Sequence, residues 1–122
     1  MQFTESHEWI ERDADKARLG ITQYAQRELG EIVFVELPEI GQIITPEKPV
    51  VVLESNKAAV DIHSPISGII MEVNTALKKQ PELINDSPEQ HGWLCVIKIT
   101  QPSELDTLLD RTAYETMIIS SA

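Results

Sequence analysis

Lys57 is the residue of this chain whose surroundings best suit chemistry. It lies in Val50-Val-Val-Leu-Glu-Ser-Asn-Lys-Ala-Ala-Val-Asp-Ile-His63, just ahead of Ser64-Pro-Ile-Ser-Gly68. Val50 to Leu53 and Ala58 to Ile62 are mostly apolar or β-branched, whereas Glu54, Ser55 and Asn56 between them are polar or turn-forming. The pattern predicts a β-hairpin that displays the lysine amine at its tip. A primary amine on a fixed turn suits acylation by a second enzyme, which can read the turn as a rigid shape. The plain alternative is a solvated surface lysine, and one lysine in a turn does not separate the two. A Schiff-base lysine needs a desolvating pocket, which a hairpin tip does not offer.

The remaining reactive residue types give less. His7, His63 and His91 are not at metal-ligand spacing, and His7-Glu8 lacks the second histidine of a zinc-binding helix, so no metal site is expected. Cys95 is the single cysteine, which excludes an internal disulfide, and Leu94-Cys-Val-Ile97 makes it a core thiol inside a strand. The sequence has no glycine-rich phosphate loop and no Gly-x-Ser-x-Gly elbow. A catalytic residue is therefore not predicted.

The elements that must position Lys57 are short. Trp9 to Arg12 and Lys16 to Ile21 flank the turn Asp13-Ala-Asp15, which predicts a first hairpin. Thr22 can cap a helix over Gln23 to Leu29, and Gly30 can close it. Glu31 to Leu37 reads as a strand stopped by Pro38, and Gly41 to Thr45 begins another. Beyond the Lys57 hairpin, Ile69, Met71 and Val73 are expected on one strand face and Ile70 and Glu72 on the other. Lys78 to Gln90 carries Pro81, Asn85, Asp86 and Pro88, giving loop with a helical turn before a strand over Trp93 to Ile99. Pro102 can start a terminal helical segment over about 102–119 that covers the sheet. The expected architecture is mostly β: one domain over 1–122, its core at about 3–100, built as an antiparallel sandwich or barrel.

Composition narrows the partners. At 122 residues one core suffices without disulfide staples. The 20 acidic and 10 basic side chains leave a net charge of −10, which argues against nucleic acid or an anionic membrane and favours basic partner surfaces. The first residues hold Glu5, His7 and Glu8, so neither a signal peptide nor a membrane span is expected, and a bacterial cytoplasm is the expected location.

The segment Glu54-Ser-Asn-Lys-Ala-Ala-Val-Asp-Ile-His-Ser-Pro-Ile-Ser-Gly68 resembles the lipoylation hairpin of glycine cleavage system H proteins. Ser6-His-Glu-Trp9, Gly20-Ile-Thr-Gln-Tyr-Ala-Gln26, Leu29-Gly-Glu-Ile-Val-Phe-Val-Glu-Leu-Pro38, Glu72-Val-Asn74, Pro81-Glu-Leu-Ile-Asn85 and Gly92-Trp-Leu94 also resemble family blocks, in family order from about Phe3 to Tyr114. The resemblance implies a lipoyl-type hammerhead fold, a flattened barrel-sandwich of antiparallel sheets with short helices, the last at the C-terminus. It implies lipoic acid amide-linked to Lys57 by a ligase or transferase, with Glu54 and Gly68 among the residues read during attachment. It further implies a cleft of Ser6, Glu8 and Asp61 that shelters the loaded arm. The arm would accept an aminomethyl group from glycine decarboxylase, pass it to an aminomethyltransferase and be reoxidised by dihydrolipoyl dehydrogenase. Two other roles are compatible with one sequence: a lipoyl relay to other lipoyl-dependent complexes, and an interaction module that is never acylated.

Biotin carriers also present a hairpin lysine, but they commonly flank it with methionine, where this chain has Asn56 and Ala58. The chain departs from the family pattern at Asn56, where valine is common, and at Val60, where serine is common. Glu89 stands where an aromatic residue is frequent. Asn56 fits a turn, so attachment should survive. Val60 and Glu89 are expected to bear on partner docking instead.

Overall fold

The computed structural model describes residues 1–121. Nine strands and three α-helices follow in the order β1 (Gln2–Phe3), β2 (Glu8–Asp13), β3 (Lys16–Ile21), α1 (Gln23–Leu29), β4 (Ile32–Glu36), β5 (Ile43–Ile44), β6 (Pro49–Ser55), β7 (Ala59–His63), β8 (Gly68–Val73), α2 (Glu82–Asp86), β9 (Cys95–Ile99) and α3 (Arg111–Ser121). Short 3-10 helices occupy Thr75–Lys78 and Pro102–Thr107. The strands form a six-stranded sheet, β1-β2-β3-β9-β8-β5, and a three-stranded sheet, β4-β6-β7. All ladders are antiparallel, and the sheets face one another without closing into a barrel.

Burial explains the pairing of the sheets. Ile10, Leu19, Ile70 and Ile97 from the larger sheet and Val35, Val51, Leu53 and Ile62 from the smaller join one apolar core. Along β6 the inward Val51 and Leu53 alternate with the more open Val52 and Glu54, the period of a half-buried strand. In β8 the expected alternation fails. A register shift between Ile70 and Glu72 places Ile70 in the core and leaves both Met71 and Glu72 exposed, because a bulge adds a residue without a ladder partner.

The local signals around α1 act as read from the sequence. The Thr22 hydroxyl accepts from the Ala25 N–H at 3.2 Å, and the Gly30 N–H donates to the Gln26 carbonyl at 3.0 Å. α3 meets the sheet through a smaller aromatic cluster. Phe3, Trp9 and Tyr114 are buried together, with Phe3 and Tyr114 stacked at 4.7 Å between ring centroids. Gly20 sits beneath Trp9, where any Cβ would collide with the indole, so glycine is required there by packing.

Candidate functional site

The Lys57 tip is built by a serine. β6 and β7 pair from Pro49 with His63 up to Glu54 with Ala59, leaving Ser55 to Ala58 to turn the chain. The Ser55 N–H donates to the Ala58 carbonyl at 2.9 Å, while the Ser55 hydroxyl oxygen accepts from the N–H groups of Lys57 and Ala58, each at 3.1 Å. A side-chain oxygen thus satisfies donors that a tight turn strands. A second tie comes from outside the hairpin: the Asn56 N–H donates to the Glu31 carbonyl, in the link between α1 and β4, at 3.2 Å. Lys57 is exposed, and among the described residues no ion pair engages its amine. Its stem does not stand straight out. A Cβ on Gly30 would lie 3.3 Å from Lys57 Cε and 3.6 Å from Cδ, so the stem runs over that glycine.

The outer face of the small sheet carries the charge. Ladder partners share a face, so Phe34, Glu54 and Ala59 form one row across β4, β6 and β7, and Glu36, Val52 and Asp61 form the next. Glu36, Glu54 and Asp61 are all exposed. A bulge between Ile32 and Phe34 also turns two consecutive apolar side chains outward, Val33 at 51% and Phe34 at 53% exposure.

The residues expected to shelter an arm are only partly brought together. Glu8 is buried, and its Oε1 accepts from the hydroxyls of Thr4 and Ser6, both at 2.8 Å. Ser6 and Glu8 therefore form one hydrogen-bonded unit, while Asp61 lies on β7 in the other sheet. His7, between Ser6 and Glu8, adopts a left-handed backbone (φ 72°) that a non-glycine residue holds only under constraint. Its Nδ1 pairs with the Tyr114 hydroxyl at 2.8 Å, and that hydroxyl pairs with Thr22 Oγ1 at 2.7 Å. The triad binds the N-terminal block, the α1 cap and α3 into one unit, and burial pushes the Tyr114 phenol up. Gly68 is buried at the start of β8, where a Cβ would collide with the Lys98 carbonyl oxygen and the Ile97 side chain. Burial pushes the Cys95 thiol up to about 12, so it is an inert core group.

The departures acquire physical content. Val60 faces inward and packs against the core opposite Leu53, so its apolar character serves packing and the expectation that it bears on a docking surface loses its support. Glu89 accepts from the Gln23 N–H at 3.0 Å and pairs with Arg111 at 3.0 Å, linking the start of α1 to the start of α3. Three contributors show little of their role in the sequence. Ser55 was legible only as a turn former, and Gly30 only as a helix stop. Asn85 pairs its side-chain amide with both the N–H (2.8 Å) and the carbonyl (3.0 Å) of Ile32, fixing where β4 begins, and nothing local to Asn85 signals that partner.

Two antiparallel sheets with a lysine displayed on a tied hairpin define a lysine-presenting β domain. The comparisons with known proteins specify it further. The family model described as glycine cleavage H-protein matches residues 1–121. The glycine cleavage system H protein of Phenylobacterium zucineum is 42% identical over 121 residues, covering 99% of this chain and 100% of the relative. That of Geobacillus kaustophilus is 46% identical over 118 residues, covering 97% and 93%. The crystal structure of a glycine cleavage system H protein from Mycobacterium marinum superposes with a TM-score of 0.85 at 35% identity, covering 96% of this chain and 94% of that one. The chain belongs to the glycine cleavage H-protein family, the lipoyl carrier of the glycine cleavage system. No helix among the described residues is long and apolar enough to cross a membrane.

Proposed function

We propose that Lys57 is the lipoyl attachment site and that the chain acts as a carrier with no catalytic residue of its own. The observation that carries this reading is the exposed Lys57 amine, which no ion pair engages among the described residues, on a tip held by Ser55 and by the Glu31 carbonyl. Such a site fits an amide-linked arm: the backbone is fixed, the amine is accessible, and no neighbour must be displaced. Acylation converts the ammonium into an amide, releases its proton and removes one positive charge from the tip. When attached, lipoic acid supplies a dithiolane that carries the aminomethyl group between enzymes. This chain supplies position and recognition.

Within that role, Glu54 and Gly68 serve attachment in different ways. Glu54 presents a carboxylate three residues before Lys57, on the face an attaching ligase or transferase would meet, while Gly68 lets β8 approach β9 closely in the larger sheet. Exposed Ser6, backed by the buried Glu8 carboxylate, and exposed Asp61 offer hydrogen-bond capacity and negative charge to a loaded, cationic arm. The partners are glycine decarboxylase, aminomethyltransferase and dihydrolipoyl dehydrogenase, and the bacterial relatives favour a cytoplasmic setting. Intact-mass measurement of protein from its native host tests the assignment. A lipoyl increment mapped to Lys57, together with glycine decarboxylation and bicarbonate exchange that vanish in Lys57→Arg, is the expected result. An arginine variant that still supports exchange refutes it.

A further inference from the structure

Gly30 does more than close α1. Its φ of 84° and ψ of −161° belong to glycine alone, so any side chain there is strained whatever space surrounds it. Space is also short. A Cβ would stand 3.3 Å from the Asn56 side-chain oxygen and 3.3 Å from Lys57 Cε, a distance at which the flexible lysine stem has to give way. The same link contributes the Glu31 carbonyl that receives the Asn56 N–H. It is held from behind by Gln26, whose side-chain amide donates to the Gly30 carbonyl at 3.3 Å and to Asn85 Oδ1 at 3.4 Å, and by the Asn85–Ile32 pair. The hairpin tip therefore leans on a braced link, and the brace has a bare Cα where the lysine stem crosses it.

We propose that Gly30 is a positioning residue for modification of Lys57. The side-chain-free shelf at Gly30 sets the path of the lysine stem, so that an attaching enzyme meets the amine in one orientation. The inference rests on Lys57 being the attachment site. A helix stop would need only the left-handed backbone of Gly30, whereas a shelf also needs the missing side chain. The two roles are separable because Gly41 has a comparable φ of 90° with nothing within 4 Å of an added Cβ. An alanine at Gly41 also places a side chain at positive φ, and it does so without touching Lys57.

The experiment compares wild type, Gly30→Ala, Gly41→Ala and Lys57→Arg as substrates of a purified lipoate ligase supplied with lipoic acid and ATP, with thermal melts recorded in parallel. Gly30→Ala should lower kcat for attachment about tenfold while KM stays within about twofold, since a misaligned amine slows the acyl step more than it weakens docking. Gly41→Ala should remain within about twofold of wild type in both constants. Equal attachment rates for Gly30→Ala and Gly41→Ala overturn the proposal. Failure of wild type to gain a lipoyl increment, or gain of one by Lys57→Arg, overturns the attachment-site reading instead, so the two failures are distinct. Should Gly30→Ala not fold, NMR of wild type decides: cross-peaks between the Gly30 α-protons and the Lys57 δ- and ε-protons are expected, and their absence refutes the shelf.

Discussion

At the Lys57 tip, hydrogen bonds engage the backbone and leave the reactive side chain exposed. In the β2–β3–β9 region of the larger sheet the opposite holds. The Glu8 carboxylate is occupied by Thr4 and Ser6, the Trp9 indole donates to the Pro88 carbonyl at 3.1 Å, and the Cys95 thiol is buried. Both regions are rich in residue types that could do chemistry. The difference is where the polar capacity is spent. A group whose partners are internal stabilises the fold, and one whose backbone alone is tied remains available to a visitor. The Ser6-His-Glu-Trp9 block thus acts first as a scaffold, with the strained His7 held by Tyr114.

That contrast can be broken by substitution, and Trp9→Ala should have the largest effect. Trp9 is buried over Gly20, so truncation leaves a cavity and should cost about 3–5 kcal/mol in urea unfolding. A loss within about 0.5 kcal/mol, the range of surface sites, would remove the claim that this block is scaffold.

A pH series sharpens the same point for Cys95. Burial raises its thiol from 9.0 to about 12. Above pH 9 the unfolded chain releases this proton while the folded chain keeps it, so the stabilisation is complete below that pH and declines toward pH 12. The slope should be on the order of 1.4 kcal/mol per pH unit. Cys95→Val should lack that component when unfolding free energies of the two proteins are subtracted across the series. A difference that does not change with pH would contradict burial as the cause.

The smallest effects come from paired carboxylate changes. Glu8→Leu removes the acceptor for two hydroxyls and should cost about 1–3 kcal/mol, whereas Glu54→Gln, on the exposed face, should stay within about 0.5 kcal/mol. Lipoate attachment should respond in reverse order, slowed by Glu54→Gln and nearly unchanged for folded Glu8→Leu. Equal attachment rates for these two variants would take Glu54 out of the recognition surface.

Much was legible wherever the determining interaction is local. The Thr22 and Gly30 caps of α1, the turn at Asp13 to Asp15, the Val50 to Ile62 hairpin and the buried setting of Cys95 follow from neighbours within a few residues, whose propensities and periodicities the chain displays directly. The β8 face departs from simple alternation because a bulge inserts a residue without changing composition, and periodicity cannot register that shift.

By itself, then, the sequence determined that a lysine would be shown on a hairpin, since strand and turn chemistry act over short range. The tertiary structure decided what that lysine rests on and what braces that support. Gly30 and Glu31 reach Asn56 and Lys57 only after β4 pairs with β6, and Asn85 finds the backbone of Ile32 across 53 positions of the chain. Contacts between distant segments depend on how the sheets register and pack, and no local pattern of residue types encodes that arrangement.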